Sequence, residues 1–214
     1  MANEIETARL VGHVFGDGSI HKSKQYFIYT NSNEKLQQTI QKIIKKIFRK
    51  IKFNVGTSIS GTPRFQYSTI VGKWLVSKGA PAGSKIFQPT KIPEWILEGN
   101  EKIKSAFLGA IFDDEGNFRD SKNSKQIVFK SSKVKYLKKE LEQYLLQIIQ
   151  MLNEFKIKTS GIKHDQIKKR KDGSEIISLR FWITGKENFR RFREKIMILH
   201  PEKIKKLSNM APAG

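Results

Sequence analysis

The sequence predicts an α+β protein built from two related halves, each in the order α-β-β-α-β-β-α. Three observations predict it. An apolar, small-residue segment closing on an acid and a glycine occurs twice. Strand and helix patterns follow each copy in the same order, and a Pro- and Gly-rich stretch lies between the two. The copies are Leu10–Gly18 (LVGHVFGDG) and Leu108–Gly116 (LGAIFDDEG). Residues 1–79 are expected to form the first repeat, 80–100 the linker and 101–214 the second repeat.

Element by element, the first motif reads as a helix, followed by a short polar stretch and the β-rich run Gln25–Thr30. Asn33 caps a helix whose apolar residues, Leu36, Ile40, Ile43, Ile44, Ile47 and Ile51, recur at spacings of three and four. Strands are expected at 53–60 and 64–71, joined by Gly61-Thr-Pro63, with a closing helix at 72–79. In the second half a polar hairpin (RDSKNSK) precedes the strand Gln126–Phe129. Ser132 is expected to cap a helix carrying Leu137, Leu141, Leu145, Ile148 and Leu152. Strands at 157–167 and 175–184 meet at Asp172-Gly173, a hairpin signal, and a helix at 186–199 closes the half.

Charge narrows the partner. The chain has 41 Lys+Arg against 20 Asp+Glu, a net charge of +21. A surplus of that size repels itself unless a polyanion binds, which points to nucleic acid or to a generally sticky basic protein. Cysteine is absent, which excludes disulfides and Cys-based zinc sites. His13, His21, His164 and His200 show no paired ligand spacing. No apolar run approaches the ~18–20 residues that span a bilayer, and the N-terminus lacks a signal-peptide layout, so an intracellular, soluble protein is expected. Gly79–Lys85 lacks the order of a phosphate-binding loop.

The repeated helix carries the chemistry. Gly12 and Gly16 share a face, as do Ala106 and Ala110, and small residues at that spacing let two helix backbones approach closely. Such a pair sets its C-terminal ends side by side, and those ends carry Asp17 and Glu115. A carboxylate at a helix C-terminus is disfavoured by roughly 0.3–1 kcal/mol, and two together repel further. A divalent cation with a taste for hard oxygen ligands, such as Mg²⁺, would offset both costs. Gly18 and Gly116 are expected as left-handed residues ending each helix.

LVGHVFGDG and FLGAIFDDEG resemble the two signature motifs of the LAGLIDADG endonucleases, and Lys91–Ile96 (KIPEWI) resembles the segment leading into the second motif. The first copy departs from the pattern: Phe15 stands where the family usually has an acidic residue, and His13 replaces an apolar one. The resemblance implies a pseudo-twofold pair of αββαββα units whose two antiparallel sheets form a saddle over double-stranded DNA. It implies a monomer that cuts both strands at a long asymmetric site with Mg²⁺, Mn²⁺ or Ca²⁺ being substitutes. Strands of ~8 residues at ~3.3 Å each would cover roughly 16–20 base pairs.

By the same resemblance Asp17 and Glu115 hold metal, with Gly16 and Asp114 beside them. Asn31 and Lys130 are the polar residues closing the second strand of each unit, and Lys85 and Lys203 the lysines near each site. Candidate DNA contacts are Lys22, Lys24, Gln25, Tyr29, Arg64, Gln66, Lys163, Gln166, Lys168, Arg170 and Arg180. Two rival readings share the fold: a maturase acting on intron RNA, and a DNA-binding protein that does not cleave.

Overall fold

The computed structural model describes residues 2–121 and 124–211. The first half runs α1 (Ala2–Phe15), β1 (Gly18–Ile20), β2 (Phe27–Thr30), α2 (Glu34–Phe48), β3 (Phe53–Thr57), β4 (Pro63–Tyr67) and α3 (Thr69–Ser77). A short helix α4 (Glu94–Leu97) leads into the second half. This half comprises α5 (Glu101–Glu115), β5 (Asn117–Ser121), β6 (Ser124–Val134), α6 (Lys138–Glu154), β7 (Lys163–Lys169), β8 (Glu175–Ile183), α7 (Lys186–Lys195) and α8 (Pro201–Met210). Each half forms one antiparallel four-stranded sheet, in the orders β1-β2-β4-β3 and β5-β6-β8-β7, so the repeat seen in the sequence is a repeat in space.

Alternation along the strands decides which face is buried. In the first sheet Phe27 and Tyr67 are cross-strand partners stacked at 5.6 Å, and α2 adds Leu36, Ile40 and Ile44 to the same core. In the second, Phe129 and Phe181 stack at 5.6 Å, with Phe112 of α5 against both and Phe192 of α7 against Phe112. The opposite faces carry rows of polar side chains. Thr30 and Arg64 are partners in the first sheet, and Lys130, Arg180 and Lys163 form one row across the second. Among the described residues no helix is long and apolar enough to cross a membrane.

Several expectations are corrected. Ser132 does not cap a helix: it lies inside β6, its hydroxyl 2.7 Å from that of Ser178 on β8, and α6 begins six residues later after a 3₁₀ turn at Lys135–Leu137. Cross-strand pairing along Ile127–Val134 wins over the local capping signal. Asn33 does cap α2, accepting from the Leu36 amide at 3.0 Å, but Arg49 turns to φ 55° and leaves Ile51 beyond the helix. The strands of the first sheet have 3 to 5 residues, so they extend only about 10–17 Å at ~3.3 Å each. The closing helix of the second half stops at Lys195, and α8 follows unannounced. Of the polar hairpin, Lys122 and Asn123 lie outside the described residues, as do residues 212–214.

Gly18 and Gly116 are not left-handed. Gly116 has φ −69°, and both are required for space instead. A Cβ on Gly18 would meet the His13 carbonyl oxygen at 2.6 Å, and one on Gly116 the Phe112 carbonyl oxygen at 2.5 Å. The 80–100 segment is also more than a tether. It carries a 3₁₀ turn at Lys85–Phe87 and is tied to β6 by Lys133, whose ammonium bonds the Lys85 carbonyl and the Thr90 hydroxyl.

Candidate active site

Helices α1 and α5 pack against each other more closely than ordinary side chains allow. A Cβ on Gly12 would lie 2.7 Å from Ala110 Cβ and 2.8 Å from the Phe107 carbonyl oxygen, and one on Gly16 would lie 2.4 Å from Asp114 Cβ. Every residue of α5 from Ile103 to Asp113 is buried, as a central helix enclosed on all sides requires. The small-residue stripe thus brings two helix C-termini together, and Asp17 and Glu115 emerge from those ends into one cleft of about 800 Å³.

Helix ends leave carbonyls without amide partners. Two lysines serve them here. The Lys85 ammonium donates to the carbonyls of Val14 (2.9 Å), Phe15 (3.2 Å), Gly16 and Gly18 (2.9 Å) at the end of α1. The Lys203 ammonium donates to Phe112 (2.9 Å), Asp113 and Asp114 (3.4 Å) at the end of α5. One comes from the linker turn and the other from α8, yet they do the same work in the two halves. Burial pulls both ammoniums below the usual lysine range, while the acids of the cleft pull them back up.

Asp17 and Glu115 are open to the cleft but have protein on most sides. Burial first, and then the charge of Asp114, pushes Asp17 up to about 6 from its ordinary 3.8. Burial and then Asp17 push Glu115 up to about 6. Lys85 and Lys203 oppose both shifts. Asp17 Oδ2 also accepts from Asn31 Nδ2 at 2.8 Å, whereas Glu115 has no hydrogen-bond partner among the described residues. Lys130, the other residue expected beside a carboxylate, lines the same cleft but pairs with Asp165 at 2.6 Å.

The side chain of Asp114 is turned away from the cleft and fully buried. Its Oδ1 accepts from the Tyr29 hydroxyl at 2.7 Å, and its Oδ2 from the Asp17 amide at 3.0 Å, with His13 Nδ1 also at 3.0 Å. Both oxygens are taken by the first half, which makes this side chain a strut rather than a free ligand. The Gly16 carbonyl is likewise already engaged, by Lys85. Asp113 forms a parallel tie: it pairs with Arg9 at 3.1 Å and accepts from the Leu199 and His200 amides. Tyr29, expected on the DNA face, is 1% exposed and points inward with Phe27, because residues two apart on a strand share a face.

The remaining expected contacts lie on the outer side. Lys22 and Lys24 are exposed in the β1–β2 connection, and Gln25 holds φ 51° in the same turn. Arg64 Nη2 donates to Gln66 Oε1 at 3.1 Å. Lys163 and Lys168 are exposed on β7, with Gln166 half-buried beside them, and Arg170 lies 5.3 Å over the Phe87 ring of the linker turn. Three features escape a reading of the sequence: the Asp114 strut, the Arg9–Asp113 pair and Asp165. Only Asp165 left a signal, as the lone acid in the basic strand KHDQIKK.

Residues 102–197 match the family model described as the LAGLIDADG-like domain. The structure of I-DmoI in complex with DNA and Ca superposes on 94% of this chain and 93% of that one, with a TM-score of 0.64 at 17% identity. The chain has the two-repeat LAGLIDADG fold. Full-length DUF199/WhiA from Thermatoga maritima shares it, with a TM-score of 0.59 at 11% identity over 99% of this chain and 62% of that one. Among curated proteins, the tRNA-splicing ligase RtcB of Methanopyrus kandleri is 23% identical over 211 residues, covering 88% of this chain and 20% of the ligase. The DNA-directed RNA polymerase subunit Rpo1N of Methanocaldococcus jannaschii is 28% identical over 226 residues, covering 95% of this chain and 16% of the subunit. The chain therefore spans about a fifth or less of the curated relatives named.

Proposed function

We propose that the chain is a site-specific endonuclease that cuts both strands of duplex DNA with a divalent metal, acting as a monomer. The observation that carries the proposal is the pairing of Asp17 and Glu115 at the ends of the two closest-packed helices, each end capped by its own lysine. That arrangement is unfavourable for stability, since burial and mutual repulsion raise both carboxylates. It is favourable for gathering cations and phosphates. The relatives add support from another direction. A matching segment lies within a ligase and within a polymerase subunit, filling a fifth or less of each, as a separable unit with its own activity would.

The donor set fits Mg²⁺. No group of three or more His, Asp or Glu side chains poised for a metal occurs among the described residues, and two carboxylates leave positions to be filled by water and phosphate. Mg²⁺ prefers that partial protein shell, keeping waters and substrate phosphates as ligands. Asp17 and Glu115 would hold it, and when bound it would activate water and stabilise the leaving oxygen. The comparison structures of I-DmoI contain Ca, Mg or Mn.

The chain's own residues would do the rest. Asn31 orients the Asp17 carboxylate and Asp114 holds its amide, which keeps the acid at a defined depth. Lys85 and Lys203 place positive charge behind both acids, so that the cleft accepts phosphate despite its carboxylates. The outer rows of the two sheets, with Arg64 and Gln66 on one and Lys163, Gln166, Lys168 and Arg180 on the other, supply donors for base edges and phosphates. The unequal strand lengths of the two sheets suit an asymmetric site.

The test is to incubate the purified protein with a randomised duplex library and millimolar Mg²⁺ and to sequence the ends of whatever is cut. Breaks in both strands at one long sequence, lost in Asp17→Asn and Glu115→Gln, are the expected result. Tight duplex binding without cutting would instead leave a DNA-binding protein. Binding of intron RNA alone would leave a maturase.

A further inference from the structure

We infer that Asp165 is a specificity-determining residue: its carboxylate stands in for a DNA phosphate between Lys130 and Arg180 and restrains both cations from binding duplexes indiscriminately. The inference rests on the DNA-binding reading above. Strand β7 is irregular between His164 and Gln166, where Asp165 has no partner on β8. An extra residue of this kind re-aims a side chain and is common beside active sites. Here it delivers a carboxylate to the outer face, where Asp165 Oδ2 lies 2.6 Å from Lys130 Nζ and Oδ1 lies 3.0 Å from Arg180 Nη1.

Lys130 and Arg180 are direct cross-strand partners on β6 and β8, so the three side chains close a triangle over three strands, and all three line the cleft that holds Asp17 and Glu115. Asp165 keeps 16% of its side-chain exposure, against 39% for Lys130 and 37% for Arg180: the cations cover the acid while remaining reachable. Around it the strand and its turn are basic, with Lys163, Lys168, Lys169, Arg170 and Lys171. An acid in that setting weakens attraction to phosphate in general, so its presence calls for a gain elsewhere.

The gain is orientation. Arg180 packs on the Trp182 ring at 6.0 Å and is gripped at one terminal nitrogen by Asp165, which fixes the plane of its guanidinium, while its Nε has no partner among the described residues. A guanidinium held in one plane can present a fork to guanine O6 and N7, the contact by which arginine reads sequence. Freed of Asp165, the same group and Lys130 would each neutralise whatever phosphate came near.

Counterion release makes this measurable. Each phosphate newly neutralised steepens the plot of log affinity against log salt by about 0.9 for B-form DNA. Wild type, Asp165→Asn and Asp165→Glu would be titrated without divalent metal against two duplexes across a salt series. One duplex is the sequence selected by the wild type from a random pool, and the other is its scramble. For Asp165→Asn we expect tighter binding of the scrambled duplex, a slope steeper by about 0.9–1.8, and a selected-to-scrambled ratio reduced by roughly five- to a hundredfold. Asp165→Glu should recover much of the ratio. Thermal denaturation checks folding, and Asp165→Ser repeats the measurement if the asparagine variant does not fold. Unchanged slope and ratio, or equal weakening on both duplexes, overturns the role given to Asp165. A wild type that selects no duplex overturns the DNA-binding reading itself.

Discussion

Adding one methyl group at Gly12 tests whether the closeness of α1 and α5 is what assembles the cleft. An alanine Cβ there would sit 2.7 Å from Ala110 Cβ and 2.8 Å from the Phe107 carbonyl oxygen. Apolar atoms rest at about 3.5–4.0 Å, so the helices must part by roughly 1 Å. Two terms oppose each other. Alanine is a better helix former than glycine by about 1 kcal/mol, whereas overpacking costs about 1–3 kcal/mol. One of the two contacts is backbone and has no rotamer to escape into, which favours the upper part of that range. The net expectation for Gly12→Ala is a loss of about 1–2 kcal/mol in urea denaturation, with reduced cleavage, since the helices that part are the ones carrying Asp17 and Glu115. Gly161→Ala, where an added Cβ meets nothing within 4 Å, should stay within about 0.5 kcal/mol of wild type. Combining Gly12→Ala with Ala110→Gly removes the first contact and should restore part of the loss. A Gly12→Ala protein as stable as wild type would refute the argument that this approach is tight.

Three further outcomes follow from the same geometry. Asp17→Asn should melt higher than wild type at pH 8. The folded chain holds protons on Asp17 and Glu115 up to about 6, above the unfolded values of 3.8 and 4.5, so stability falls as pH rises through that window, and the advantage of the variant should fade near pH 4. Tyr29→Phe leaves one oxygen of buried Asp114 without its donor and should cost about 1–3 kcal/mol in denaturation while leaving affinity for duplex DNA in metal-free buffer unchanged, as a residue facing inward must. Lys85→Met and Lys203→Met each strip the donor from a helix end, and each should cost about 1–3 kcal/mol by the same measurement.

What was legible from sequence was what depends on local spacing. The duplicated motif placed Asp17 and Glu115 at equivalent helix ends, and glycine and alanine at intervals of four foretold a close crossing. The periodicity of Leu141, Leu145, Ile148 and Leu152 marked the face that α6 buries. What was not legible depends on the partner across the interface. Tyr29 has the composition of a DNA-reading residue, and only the parity of β2 with its neighbours sends it inward. Ser132 looks like a helix cap until β8 is laid beside it. Gly18 and Gly116 look like left-handed terminators, but the reason for them is the nearness of a carbonyl in the preceding turn, which no local pattern records. Asp114 is the sharpest case, since its neighbour Glu115 occupies the equivalent of Asp17 while Asp114 occupies the equivalent of Gly16.

That last equivalence bears on why the two halves share one chain. Close packing alone does not fix how α1 and α5 are rotated about each other, but buried polar ties can. At this interface both acids, Asp113 and Asp114, come from α5, and the groups that meet them from the first half are Arg9, His13, Tyr29 and the Asp17 amide. The arrangement has a polarity that a symmetric dimer cannot reproduce. Two copies of the second half would set Asp114 against Asp114, burying two carboxylates without the tyrosine and histidine that meet one here. Two copies of the first half would set Gly16 against Gly16, leaving Tyr29 and His13 without their acceptor and the Asp17 amide unheld. The first half has the room and the donors, and the second has the acids that use them. The ties that orient Asp17 are made only when unlike halves meet, so the geometry of the cleft and the choice of partner are set by the same side chains.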